Sequence, residues 1–408
     1  MQRKKKPTKQ QCQKVLAAQY RKDFFRKLKL IIDAGCGTEI FPLIPQRVLD
    51  DTYIHRVSPF RIIVDENSCV PSVILNNSKI LLPILFRKHF ISLPQCDMEI
   101  TLCDYFTVFQ TIINLDFNIA EGSFCNAHKV KEALRPLVAD KDTFIKANKL
   151  LYEILYSFNV NFCSLQKALY WYKYDLGVSK TYPAKLTNVI TIYSITPETI
   201  SVEIDKISRP AIRVGWAFAY TGPNWLSLKP VDIGVTSTFA ELPLKVYIQS
   251  HAINRLFERI DCFWIGAVYF NLYFSLASPK IEYDINKNLL IEFRIFNVKA
   301  GYFRADIVDG IILIRTFLFV TNNGTPEGML LESNTGLQKL DKKYLAIDKL
   351  STFVNSDLDK NEEVQQLFIN SGCQCLFNFY SEMKPLLTTK DKCIDASTVL
   401  SYLNKCIG

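Results

Sequence analysis

Apolar residues recur at helical spacing between Ser250 and Asp261. At about 100° per residue, Ala252, Ile253, Leu256, Phe257 and Ile260 fall on one side. His251, Asn254, Arg255, Glu258, Arg259 and Asp261 occupy the other. The run Leu244 to Gln249 ahead of them predicts a strand, and Ser250 is the expected N-cap. A second helical pattern covers residues 8–33, with Thr8 as cap and Gly35 just past the end. Its apolar stripe is Leu16, Tyr20, Phe24, Leu28 and Ile31, while Lys14, Arg21, Lys22, Arg26 and Lys29 gather opposite.

Short apolar runs between Pro42 and Pro94 predict strands at Phe60 to Val64, Val73 to Leu75 and Ile80 to Phe86, with Asn76-Asn77-Ser78 as a turn. Helices are expected at Phe106 to Leu115, Asn126 to Leu137, Asp142 to Phe158 and Ser164 to Leu176, the last closed by Gly177. The cluster Tyr170-Trp171-Tyr172-Lys173-Tyr174 would on a helix point its rings in different directions, which favours core packing over base stacking. Beyond Gly177 the pattern turns to β. Asn188 to Ser194 and Glu198 to Ile204 predict a hairpin around Thr196-Pro197, and Ala211 to Tyr220 a further strand. An apolar helix follows at Trp264 to Leu276, then strands at Lys280 to Asp284, Leu289 to Phe296 and Tyr302 to Val308. Asp309-Gly310 is a type I′ hairpin signal leading into Ile311 to Thr321. The turn-rich segment Asn322 to Gly328 is long enough to edge a site. Helices return over residues 356–408, including Asn361 to Asn370 and Cys375 to Met383.

Length and charge sharpen this outline. A chain of 408 residues exceeds one small core and predicts several domains. The net charge of +9 is concentrated at the front: residues 1–30 hold eleven Lys or Arg against Asp23 alone. That end can solvate a helix face, or present a patch to nucleic acid or anionic lipid. The opening run Met1 to Lys6 lacks the apolar region of a secretory signal. The longest apolar stretch, Phe263 to Ala277, is shorter than a membrane span and contains Asn271, which fits a buried helix. Twelve cysteines without C-x-x-C spacing point to free thiols and a cytoplasmic location. His55, His89 and His128 have no acid or cysteine partners at ligand spacing, so neither a metal nor a cofactor is expected. No G-x-S-x-G, H-E-x-x-H, G-x-G-x-x-G or complete P-loop occurs, which removes the enzyme classes those motifs mark.

The string His251-Ala252-Ile253-Asn254-Arg255-Leu256-Phe257-Glu258-Arg259 fits H-A-x-x-R-x-x-E-R. Together with the hairpin from Gly301-Tyr302-Phe303-Arg304 to Thr321, it resembles the small BrnT-like and RelE-like toxins of the barnase–EndoU–colicin–RelE ribonuclease group. The resemblance covers about residues 244–321 and implies helices followed by a curved antiparallel sheet, acting on RNA without a metal. Under it, His251 and Arg255 are the catalytic candidates, and Arg259, Arg304 and Arg315 would bind the substrate phosphate. Those relatives are single small domains, whereas here the segment lies within a much larger chain.

The expectation is an α+β protein: a basic amphipathic helix (1–40), a mixed, mainly helical domain (41–177), a β-rich module (178–345) and a helical tail (346–408). Its expected function is RNA-directed, as a metal-independent ribonuclease or an RNA-binding descendant, with an antitoxin-like partner possible in a toxin–antitoxin setting. The alternative is a non-enzymatic interaction protein. Its helix over 8–33, through Lys14, Arg21, Lys22, Arg26 and Lys29, would dock to nucleic acid, a membrane surface or a protein.

Overall fold

The computed structural model describes residues 9–93, 96–179, 184–204, 206–235, 241–379 and 396–407. The basic run Met1 to Lys6, the Thr8 cap and residues 380–383 of the helix expected at Cys375 to Met383 lie outside these. The protein is α+β, with helices dominating the N-terminal half and a large sheet in the C-terminal half. It forms two compact units, one of residues 1–158 and 171–193, the other of 159–170 and 194–408. Among the described residues, no helix is long and apolar enough to cross a membrane.

In the first unit, helix α1 (Lys9–Cys36) buries Phe24, Leu28 and Ile31, while Leu16 and Tyr20 of the same stripe remain exposed. Strand β1 (Ser58–Val64) forms as expected. The two strands expected after it are instead one helix, α2 (Ser72–Lys88). Ser78, Leu82 and Phe86 are its buried positions, spaced four apart. Ser78 Oγ lies 2.8 Å from the Ile74 carbonyl and 3.1 Å from the Tyr172 hydroxyl. Tertiary burial of that face outweighs the turn-like Asn76-Asn77 pair.

Helices α3 (Ala127–Val138) and α4 (Lys141–Val160) agree with the helical spacing. The helix expected at Ser164 to Leu176 is strand β2 (Leu169–Val178). There the aromatic cluster alternates with period two: Tyr170, Tyr172 and Tyr174 are buried, while the Trp171 ring stacks on Tyr193 at 5.3 Å. Strand β3 (Leu186–Ile195) lies between β1 and β2 and runs parallel to β1. Buried Asn188 donates to the carbonyls of Ser58 and Phe106 and accepts from the Tyr174 hydroxyl, so both ends of its amide are satisfied.

The second unit is built on an eight-stranded mixed sheet. Its strands include β4 (Thr199–Ile204), β5 (Ile207–Arg213), β6 (Leu244–Gln249), β7 (Ile281–Tyr283), β8 (Leu289–Ile295), β9 (Val298–Val308) and β10 (Ile311–Phe319), in the order β7-β8-β9-β10-β6-β5-β4. β4 pairs with β5 and β3 belongs to the other sheet, so the expected hairpin at Thr196-Pro197 does not form. The strand expected over Ala211 to Tyr220 breaks at Val214, and residues 215–218 pair instead with Gly222–Trp225. β6 is parallel to β10, whereas β7 to β10 form an antiparallel meander. Asp309 and Gly310 both have positive φ, as the type I′ turn between β9 and β10 requires.

Helices α5 (Ser250–Arg259) and α6 (Ile265–Ala277) lie between β6 and β7 in sequence and pack on the sheet. α6 is buried nearly all round, and Asn271 accepts from the Phe296 amide at 2.9 Å. After β10 come α7 (Pro326–Thr335), α8 (Lys339–Tyr344), α9 (Leu350–Asn355), α10 (Glu362–Asn370) and α11 (Ala396–Ile407). The helix expected at Cys375 opens as a short 3-10 turn, Gln374–Phe377.

Candidate functional site: a cationic cleft beside His251

β6 feeds α5 without a loop. The helix begins one residue earlier than expected: Gln249 is the N-cap, its side chain makes no capping bond, and Ser250 is already helical. Ala252, Ile253, Leu256 and Ile260 are buried, as the periodicity requires, which turns His251 and Asn254 to solvent and leaves Arg255 half-exposed.

Facing this stripe is α8, a single short helix of the sequence Lys-Leu-Asp-Lys-Lys-Tyr. A capping box starts it, the Asp341 carboxylate accepting the Gln338 amide at 2.8 Å. The Tyr402 hydroxyl donates to the same carboxylate at 2.5 Å, and this bond holds the Asp341 pKa below the usual range. Lys339 and Lys343, four residues apart, share the exposed side of the helix, and Lys342 lies on its buried flank.

The two helices, the floor Thr316 to Leu318 of β10 and the loop Asn322 to Gly324 enclose a cleft of ≈ 450 Å³. His251, Arg255, Arg259, Lys339, Lys342 and Lys343 all line it. Among the described lining residues, Asp348 is the sole carboxylate, and it already pairs with Arg259. That pair is buried, with side chains 13% and 6% exposed, and its other oxygen Oδ1 has no hydrogen-bond partner. Arg255 pairs with Glu258 at 2.7 Å, but both are largely exposed. Lys339 and Lys343 are exposed and have no carboxylate partner among the described residues.

Lys342 differs in kind. It is only 1% exposed and donates to Asn323 Oδ1 and the Gly328 carbonyl, each at 2.7 Å. Neither partner is charged. Burial lowers its pKa to about 8, partly opposed by the Glu332 carboxylate.

Of the residues expected from the sequence, His251, Arg255 and Arg259 come together here. Arg304 and Arg315 do not line the cleft. Arg304 donates to Asn288 Oδ1 at 2.8 Å, and Arg315 pairs with Asp306 at 2.9 Å. Arg315 is the additional residue where the β9–β10 register shifts between Arg304 and Ala305, a displacement that strand alternation cannot foresee. Three of the five α1 cations are paired: Arg21 with Asp50, Arg26 with Asp23 and Lys29 with Asp33. Lys14 and Lys22 are exposed. The α8 lysines were missed, because a helix of six residues with Gln338 as its N-cap carries no strong start signal or period. His89 bonds the Leu85 carbonyl, His55 sits beside Asp51 one turn before it, and His128 beside Glu132 one turn after it. No group of three metal-ligating side chains occurs among the described residues.

No family model, curated protein or solved structure matches the chain.

Two outcomes follow from this geometry. Asp348→Asn or Arg259→Met strands one member of a buried pair and should cost about 3 kcal/mol or more in urea unfolding. Arg255→Met, from an exposed pair, should stay within about 0.5 kcal/mol. Equal effects would show that the buried pair is not special. The second concerns pH. The folded Lys342 loses its proton near pH 8, whereas the unfolded side chain keeps it to about 10.5. The unfolded state therefore binds more protons in that window, and stability rises with pH across it. Relative to Lys342→Met, the wild type should gain stability from pH 8 to 10.5 and show a constant difference below pH 7. A pH-independent difference would contradict the assignment.

Proposed function

We propose that the second unit binds RNA by its backbone phosphates in the cleft beside His251, and that His251 serves proton transfer in metal-independent cleavage. The observation that carries this reading is the convergence of five Lys or Arg around one histidine, where the single lining carboxylate is already neutralised. Such a site attracts an anion and repels a cation, and arginine with lysine suits phosphate oxygens. The resemblance of residues 244–321 to the toxin-type ribonucleases points the same way.

The chemistry is simple in outline. His251 takes the proton of a 2′-OH, O2′ bonds to phosphorus, and the P–O5′ bond breaks. Arg255, Lys339 and Lys343 hold the phosphate oxygens as charge accumulates on them. The departing O5′ takes a proton from Lys342, only two of whose three N–H groups are committed to Asn323 and Gly328.

A second reading draws on α1, where Val15 and Leu16 are each 64% exposed beside Lys14. With Arg21, Arg26 and Lys29 already paired, that surface favours a protein or membrane partner over nucleic acid.

The test uses a labelled single-stranded RNA in EDTA, with binding read by anisotropy and cleavage on a gel. Lys339→Glu/Lys343→Glu should weaken binding at least about tenfold and flatten its salt dependence. His251→Ala should bind but not cleave. Binding without cleavage by the wild type would refute the catalytic half, and no binding would refute the whole.

A further inference from the structure

The exposed side of α8 carries more than charge. At 100° per residue, Lys339 and Lys343 lie within about 40° of one another, and Leu340 and Tyr344 follow round the helix, still outward. Lys342 falls on the opposite flank and is buried. Leu340 is 77% exposed and Tyr344 73%, a large apolar surface beside two cations without carboxylate partners. The Tyr402 ring lies 5.5 Å from that of Tyr344 at an interplanar angle of 34°, and its hydroxyl is anchored on Asp341. One neighbour of Tyr344 is therefore fixed, while most of its surface is left to solvent.

We infer that this edge of α8 is a nucleobase platform and that the cleft takes single-stranded RNA. The inference rests on the phosphate-binding reading above and adds the strand preference to it. A nucleotide presents a phosphate and a flat base on opposite sides of its sugar. α8 presents Lys339, Lys343 and Leu340 to the cleft, and the Tyr344 ring lies next to Leu340 round the helix, outside the cleft lining, in the same order. A duplex keeps its bases stacked inside and cannot offer them to Tyr344, whereas a single strand can. An acidic protein partner would meet the lysines equally well, but it would not depend on the flat ring of Tyr344 together with base identity.

The experiment compares three fluorescein-labelled probes of equal length: a single-stranded oligoadenylate, its duplex with oligouridylate, and an abasic ribose-phosphate oligomer. Tyr344 is exposed, so Tyr344→Ala should fold as the wild type does. It should weaken oligoadenylate binding about tenfold and leave the abasic oligomer and the duplex unchanged. Tyr344→Phe should bind like the wild type, and Lys343→Ala should weaken all three probes. If the wild type binds RNA but Tyr344→Ala has no effect, or weakens the abasic probe equally, the platform is overturned and the phosphate cleft stands. If the wild type binds none of the probes, both fall.

Discussion

The Arg259–Asp348 ion pair is the contact on which the site's geometry depends. Arg259 is the last residue of α5, and Asp348 lies in the connection between α8 and α9. Two residues past Arg259, Asp261 accepts both the amide and the hydroxyl of Ser351, at 3.0 and 2.8 Å. These bonds hold the C-terminal end of α5 against the segment that follows α8, and so set the two walls of the cleft. A buried ion pair surrenders hydration on both partners, so its contribution lies in fixing one arrangement more than in net stability. Lys342 fixes the other side, joining α8 to the loop at Asn323 and to the first turn of α7.

With the walls so placed, cations that are distant in sequence become neighbours. Arg255 comes from one wall, Lys339 and Lys343 from the other, and the paired Asp348 offers them little compensation. Like charges at this spacing repel, and a bound anion relieves that repulsion. Binding to the folded state alone then stabilises it. His251 in the same cleft adds an imidazole beside these cations. Under the proposed function, the cations and the imidazole act together on a phosphate, and the exposed Tyr344 edge of α8 receives a base.

Much of the fold was legible where one period ran uninterrupted. The spacing along α1, the all-round apolar character of α6 and the Asp309-Gly310 turn each led to the observed element. Legibility failed where tertiary burial decided the matter. The residues of α2 carry apolar runs that suit a strand, and only the packing of Ser78, Leu82 and Phe86 selects the helix. The tyrosines of β2 recur every second residue, a strand period that the apolar run continuing from Ser164 masked. At the site, α5 is amphipathic enough for His251, Arg255 and Arg259 to be placed on one stripe from sequence alone. α8 spans only six residues, too few for a period to stand out, so its lysines became visible only through their position opposite α5. Arg304 and Arg315 were plausible by proximity in sequence, but bonds to Asn288 and Asp306 engage them elsewhere.

On the proposed function, a phosphate-bearing ligand occupies the cleft beside His251. The chain has four histidines, so their ring signals are separable by NMR, and a His251→Ala variant assigns the relevant one. On titration with single-stranded RNA, the His251 ring signal should shift saturably while those of His55, His89 and His128 remain in place. A His251 signal that stays unchanged while RNA binds, or a shift confined to the other three, would contradict the account.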